Sequence, residues 1–548
     1  MTRNHKYGGV TAAEVREIYA APRSLSWYWT HGCSQVTRVR TTLEKEVLPK
    51  LRSLESILQP INRLPKDILI LVPRFFTNEV GEHEMFPMNK PLIMMTHVCR
   101  SWRNLLLSTP SLWTQIDFST YKSKQAEGFL GRSRKQFLDI HHFFGSRGDT
   151  TEPFLSTTLQ NLYRVRRLDI GSTSQRLERV LVQFTAPAPE LQHLEIMNDI
   201  DFTNRDVKLP SNIFEGQLPK LTSLTLYFLR TDLRGFNFPS ITRFSFTTGT
   251  YISIGNLTSF FERCPLLEFI QIRLSYAPQP PIAPPRKRVR LGALKELRFD
   301  LTASTSGLLD HLTLPKCTEM LLKGQFTGKE FDGKGYPVAR IHPSSIDHLP
   351  VTRGITKAVA MPHSCILSGP NGNLRFWCFF ENRNDFDAEF FTSFAPISVS
   401  GIKELWIGST IESYPGRIPW KQTATGVRGA FEVLTKVEDL TIVSCETEPI
   451  LTTLDVKIDN AVFLPGLRRL TIYVGCGELD ISALIQSTKA RKEHSRPLEE
   501  LAIIFENEPG ADAVRELETL GEIVGGFDYR IGMAPVMRQW QIREEERW

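Results

Sequence analysis

An apolar-x-x-apolar-x-apolar pattern recurs through the C-terminal two thirds of the chain. It reads VRRLDI from Val165, LQHLEI from Leu191, LTSLTL from Leu221, ITRFSF from Ile241, LEFIQI from Leu267, LKELRF from Leu294 and CTEMLL from Cys317. After a gap come IKELWI from Ile402, VEDLTI from Val437, LRRLTI from Leu467 and LEELAI from Leu498. Most starts lie about 20 to 35 residues apart, the range of solenoid repeats. The last two apolar positions alternate, as on one side of a short strand. Between units the spacing turns helical: Leu177, Val180, Leu181 and Phe184 before LQHLEI, and Leu257, Phe260, Phe261 and Cys264 before LEFIQI. Shorter helical stretches near 308–312, 387–394, 429–434 and 481–485 precede later units. The fold class is therefore expected to be α/β, a ladder of parallel strands with outer helices, in which stacked neighbours supply the core. Residues 323–398 break the rhythm, and at most one decayed strand is expected there, near LRFWCFF (374–380).

These units resemble leucine-rich repeats of an irregular kind. The Asn or Cys usual three places after the last apolar position occurs only as Cys445. Thr173, Ser275, Thr302 or Thr410 stand in that slot elsewhere, with hydroxyls expected to replace part of the hydrogen bonding. Positions 3, 5 and 7 of each unit point away from the core. They give an inner face carrying His193, Glu195, Tyr227, Arg243, Arg273, Arg298, Trp406, Asp439, Arg469 and Tyr473, the candidate target-binding residues. Trp406 ranks first as an outward-facing large side chain. Its competing reading is packing under the irregular 323–398 segment.

The N-terminal region has another texture. Val36, Val39, Leu43, Val47, Leu51, Leu54 and Leu58 keep helical spacing over 35–59, with Pro49 expected to split the segment into two pieces. INRLPKDILILVPRFF (61–76) follows, then a linker, then PLIMMTHVCRSWRNLLLSTPSLWTQIDFS (91–119). In the last piece Val98, Trp102, Leu105 and Leu106 share one helical face, and Thr109-Pro110 ends the helix.

LPKDIL followed by VCRSWRNLLLSTPSLW looks like an F-box, a small three-helix docking module. Together with the preceding helical segment and irregular repeats, the chain is similar to the F-box families expanded in mushroom-forming fungi. The resemblance implies docking to a Skp-family adaptor of a cullin–RING (SCF-type) ubiquitin ligase through Leu64, Pro65, Ile68, Leu69, Val98, Cys99, Trp102, Leu105, Leu112 and Trp113. Two short helices cannot bury so many large side chains between themselves, so Trp102, Trp113 and their neighbours are expected to remain partly uncovered for a partner. Pro73 stands where the family has an aromatic residue. It is expected to stop the first helix at Val72, with Phe75 or Phe76 taking the aromatic role.

The domain reading is then an unassigned segment at 1–34, an interrupted helical segment at 35–59, the F-box at 60–119, the solenoid at 120–510 and a C-terminal helix and tail at 511–548. The implied function is a non-catalytic substrate receptor in protein ubiquitination, with an unknown target protein as second partner. The alternative is a repeat scaffold that has lost adaptor binding.

Composition narrows the remaining classes. A net charge of +6 over 548 residues gives no reason to expect nucleic acid, and 41% hydrophobic with 23% charged residues suits a foldable chain. No apolar run is long enough for a bilayer, and MTRNHKYGGVTAAEV lacks a secretory leader's apolar core. A cytoplasmic or nuclear protein with reduced cysteines is expected.

No cofactor, metal or catalytic residue is expected. His97 beside Cys99 points elsewhere on a helix. His363, Cys365 and Cys378 lack paired ligand spacing and read as loop residues. GPNGN (369–373) lacks the Gly-Lys-Ser/Thr ending of a phosphate loop, and His141-His142 reads as a loop or strand edge. PQPPIAPPRKRVR (278–290) is a solvated loop or an import signal.

Overall fold

A computed structural model describes residues 37–38, 40–48, 64–78, 89–121, 123–143, 151–199, 207–236, 238–248, 252–274, 288–300, 308–324, 348–361, 364–378, 385–386, 399–408, 421–422, 424–443, 447–454, 462–474 and 479–532. The chain divides into two compact units, one of residues 1–114 with 131–134 and the other of 115–130 with 135–548. The first boundary falls at 114 rather than 119, because Gln115–Asp117 is already the first rung of the sheet.

In the first unit, α1 (Lys66–Asn78), α2 (Lys90–Met95) and α3 (Arg100–Ser108) pack on one another, and a 3-10 turn at Pro110–Leu112 packs on α1. Helix α1 runs through Pro73 to Asn78 rather than stopping at Val72. Proline removes one amide donor. Burial of Pro73 and Leu69 offsets that loss. The side chains of Phe75 and Phe76 lie outside the described residues. Of the 35–59 segment, residues 37–38 and 40–48 are helical, with a π-helical stretch at Leu43–Val47. Its expected break at Pro49, and all of 1–34, lie outside the described residues.

Among the described residues the second unit is built on one 17-stranded sheet. In chain order its strands are β1 (Gln115–Asp117), β2 (Leu138–Phe143), β3 (Val165–Thr173), β4 (His193–Asp199), β5 (Ser223–Tyr227) and β6 (Arg243–Thr248). Next come β7 (Phe269–Leu274), β8 (Glu296–Asp300), β9 (Glu319–Gly324), β10 (Lys357–Met361), β11 (Ser364–Gly369) and β12 (Gly372–Cys378). The last five are β13 (Glu404–Gly408), β14 (Asp439–Val443), β15 (Arg469–Val474), β16 (Glu500–Phe505) and β17 (Gly526–Ile531). All eleven repeat units of the sequence are strands of this sheet. The array also passes the expected end at 510, adding helix Ala511–Ile523 and β17 as one more repeat.

Neighbours pair in parallel from β1 to β9 and from β13 to β17. The 323–398 region corrects the reading of one decayed strand. It holds β10, β11 and β12 as an antiparallel meander inserted in reverse, so that β9 pairs with β12 and β10 with β13. GPNGN is the meander's turn: Gly369 pairs with Gly372 across Pro370-Asn371. Cys365, expected in a loop, is a buried residue of β11. Cys378 ends β12, and His363 lies outside the described residues.

Two apolar rows cross the sheet. One passes through Ile140, Leu168, Leu194, Leu224, Phe244, Ile270, Leu297 and Met320, and the other through Ile170, Ile196, Leu226, Phe246, Ile272, Phe299 and Leu322. Beyond the meander they continue as Leu405, Leu440, Leu470 and Leu501, and as Ile407, Ile442, Ile472 and Ile503. All are buried, the burial that stacked repeats need. Helices cover this side: Phe260 of helix Ile254–Glu262 lies 4.7 Å from Phe244. A column of Phe118, Phe154, Phe184 and Phe214 runs through successive connections with centroids 5.6, 6.4 and 5.4 Å apart.

Caps set the helix starts. Ser253 Oγ accepts from Asn256 N, and Asp480 Oδ1 from Ala483 N. Asn198, two places past Ile196, is buried and ties adjacent repeats together. It accepts from Ser174 Oγ at 3.0 Å and donates to the Phe228 carbonyl at 3.1 Å. In the slot one residue further on, Thr173 makes no side-chain helix cap. Ser275, Thr302, Thr410 and Cys445 lie outside the described residues. Buried guanidiniums do similar work. Arg164 donates to the Gln136 carbonyl, and Arg491 to those of Phe463 and Leu464, each reaching back about one repeat.

Candidate functional sites

The expectation that both tryptophans stay uncovered is corrected by the first unit. Trp102 is 5% exposed and Trp113 is 1% exposed. Trp113 Nε1 donates to the Leu106 carbonyl at 2.8 Å, and the Arg132 guanidinium lies 4.8 Å over its ring. Leu69 and Leu112 are buried as well, and Leu105 is half-buried. The reason is geometric. Helix α2 and the Pro110–Leu112 turn contribute walls that counting only two helices left out.

Cys99 is half-buried and caps α3, its sulfur accepting from Trp102 N at 3.5 Å. A capping role accounts for this thiol. Pro65 accepts the amides of Ile68 and Leu69 at the start of α1.

The apolar surface of this unit lies elsewhere. Ile68 and Leu71 lie on α1 and Leu64 two residues before its start; they keep i, i+4, i+7 spacing and are 44%, 52% and 40% exposed. Met94 and Val98 are 63% and 64% exposed on and just after α2. The sequence picked out Leu64, Ile68 and Val98 but missed Leu71 and Met94. A helical wheel of α1 alone would have found Leu71.

On the sheet, the face opposite the apolar rows carries all ten expected target-binding residues. Register aligns them into rows. One reads Asp139, Arg167, His193, Ser223, Arg243, Phe269, Glu296 and Glu319 across β2 to β9. Beyond the meander it reads Glu404, Asp439, Arg469 and Glu500.

Most of these charges are already answered by neighbours. Arg273 pairs with Asp300 at 3.2 Å, and Arg298 with Glu296 at 2.6 Å. Arg469 grips Asp439 with two hydrogen bonds, the Nη2 one at 2.6 Å. Arg243 and Arg298 sit over the Phe269 ring at 4.2 and 5.4 Å. Glu195, Tyr227 and Tyr473 are half-buried on this face. Burial, then the Arg167 charge, lowers the His193 pKa.

Trp406 is half-buried. It packs against Val359 and Ile366 of the meander and donates to Glu404 Oε1 at 3.0 Å. The irregular segment therefore supplies packing for this residue, as its competing reading expects, while the side chain stays only half-buried.

A polar group that the sequence left out sits at the other end. His141 Nδ1 is 2.6 Å from Asp169 Oδ2, which also accepts from Arg167 Nε at 2.9 Å. His141 and His142, expected in a loop or at a strand edge, are both buried in β2. His142 fills a core position 4.5 Å from Phe154, which is why the apolar pattern failed there.

Nucleophilic chemistry finds no support among the buried thiols. Burial pushes Cys264 up to about 11 and Cys317 up to about 12, and it raises Cys365 as well. Among the described residues no group of three His, Cys, Asp or Glu side chains could hold a metal ion. No described helix is long and apolar enough to cross a membrane.

No family model matches the chain, and no curated protein matches it. Solved structures do match. One is the crystal structure of a Bacteroides fragilis protein, a structural-genomics target, 14% identical, covering 69% of this chain and 82% of that one, with a TM-score of 0.18. The architecture rests instead on the strand pairings: an α/β chain whose large, mostly parallel sheet is built from repeats.

Proposed function

We propose that this chain is the substrate receptor of a cullin–RING ubiquitin ligase, an F-box protein whose helical unit docks a Skp-family adaptor and whose open sheet face holds the target protein. The observation that carries the reading is the exposure of five apolar side chains, Leu64, Ile68, Leu71, Met94 and Val98, on a small unit whose tryptophans are already covered. Each leaves about half of its side chain to bury. At about 25 cal/mol per Å², that is worth roughly 1 kcal/mol per residue in a complex. The receptor contributes proximity, raising the effective concentration of a target lysine near the charged ubiquitin carrier. The acyl transfer belongs to other subunits. Leu69, Trp102, Leu112 and Trp113 act here as the buried frame of the unit, and Leu105 and Cys99 are half-buried.

The test is capture of a fungal Skp-family adaptor by the full chain. Ile68→Asp combined with Val98→Asp should reduce capture at least about tenfold with the fold intact, since exposed substitutions usually change stability by about 0.5 kcal/mol or less. Trp102→Ala should instead unfold the helical unit, at a cost of about 3–5 kcal/mol. Failure of the unaltered chain to capture any such adaptor would leave the scaffold reading in its place.

A further inference from the structure

Among the described residues the array ends on β17, whose one pairing neighbour there is β16. Its register continues the buried rows, with Leu501 opposite Phe527, Ile503 opposite Tyr529 and Phe505 opposite Ile531. Burial does not continue with it. Tyr529 is 41% exposed and Ile531 is 58% exposed, while Ile503 is fully buried at 0%. Phe527 is half-buried, 6.1 Å from Tyr529. On the other face Asp528 and Arg530 are both exposed. An edge strand with open backbone groups and an apolar side attracts another strand, and solenoid ends need a cap.

From this edge we infer that β17 is an interface between two copies of this chain, joined antiparallel about a two-fold axis at Tyr529. The strand FDYRI complements itself in that arrangement. With Tyr529 opposite its counterpart, Asp528 of each copy faces Arg530 of the other, so symmetry makes the ion pair twice. On the apolar side Phe527 lies opposite the second copy's Ile531, and the two Tyr529 rings meet between them. Parallel self-pairing in register would set Asp528 against Asp528 and Arg530 against Arg530, which disfavours it. An antiparallel contact is isologous and closes at two copies, so it also stops open-ended growth.

The experiment measures the mass of the full chain by light scattering and sedimentation over a range of concentrations. A dimer of about twice 62.5 kDa is expected. Asp528→Arg alone and Arg530→Asp alone each replace two attractions by two repulsions. Each should raise the dimer dissociation constant about tenfold or more. Combining the two substitutions restores opposite charges across the axis and should recover the dimer, which a mere folding defect would not do. The inference is overturned by a monomer at every concentration, by single reversals that leave the dimer intact, or by a folded double variant that stays monomeric. A monomer whose β17 amides are nonetheless protected from exchange would assign the edge to cover from within the chain. None of these outcomes bears on adaptor capture, so the ligase reading stands or falls separately.

Discussion

Gly372→Ala probes the least expected part of the fold, the reversed meander. Gly372 has φ +124 and opens β12 directly after the Pro370-Asn371 turn. An added methyl there overlaps the Thr318 carbonyl oxygen, and that group's carbon lies 2.6 Å away. The same oxygen accepts from Asn373 N at 2.7 Å, part of the seam between β9 and β12. The backbone strain costs about 1–3 kcal/mol. Displacing the Thr318 carbonyl adds about 0.5–1.5 kcal/mol for the weakened hydrogen bond. Roughly 2–4 kcal/mol is therefore expected.

Gly216 supplies the control. It has φ +67 and nothing within 4 Å of a built methyl, so Gly216→Ala costs only the left-handed strain of about 1–2 kcal/mol. Amide hydrogen exchange is the assay, because a chain of two units need not unfold in one step. Gly372→Ala should speed exchange across Glu319–Gly324 and Gly372–Cys378 and leave Ser223–Tyr227 unchanged. Equal effects from the two substitutions, with β9 and β12 undisturbed, would refute the β9–β12 seam.

Two further outcomes are expected besides the adaptor and mass measurements. Burial alone would raise the Asp169 carboxyl, but His141 and Arg167 hold it below its ordinary value of 3.8. A depressed folded-state pKa gives stability that is present above the unfolded value and lost as pH falls through the folded one. Asp169→Asn should therefore lower stability at neutral pH by about 1–3 kcal/mol and flatten the acid limb below about pH 4, and an unchanged limb in urea titrations would count against the ion pair. Trp406→Ala should cost about 1–3 kcal/mol through its packing on Val359 and Ile366 and, once a target is known, weaken target capture while adaptor capture holds. Equal loss of both captures would mark a folding defect instead.

The repeats were legible because a strand buried on one side advertises itself by alternation, and each of the eleven units kept leucine-like residues at both core positions. Strands whose core residues depart from that type escaped notice. His142 fills a core slot in β2, while Ala358 and Ala360 are the small core residues of β10. The direction of the meander was not legible at all, since β10 to β12 show no local sign of whether β9 meets the first or the last of them. In the helical unit exposure depends on a third wall, which residue types alone do not reveal. The tryptophans lie inside, and the exposed apolar side chains are Leu64, Ile68, Leu71, Met94 and Val98. The charged face was legible by position but not by partner. Asp439 and Arg469 stand 30 residues apart in sequence, and only register brings them together.

Because β12 joins β9 while β10 joins β13, the meander offers a same-direction edge at both of its borders. Met320 and Leu322 connect, rung by rung, to Leu405 and Ile407 with no change of parity. Excising the three strands would leave two half-arrays that still match end to end. The junction is thus a natural splice point, where strands can be gained or lost without breaking the buried rows on either side.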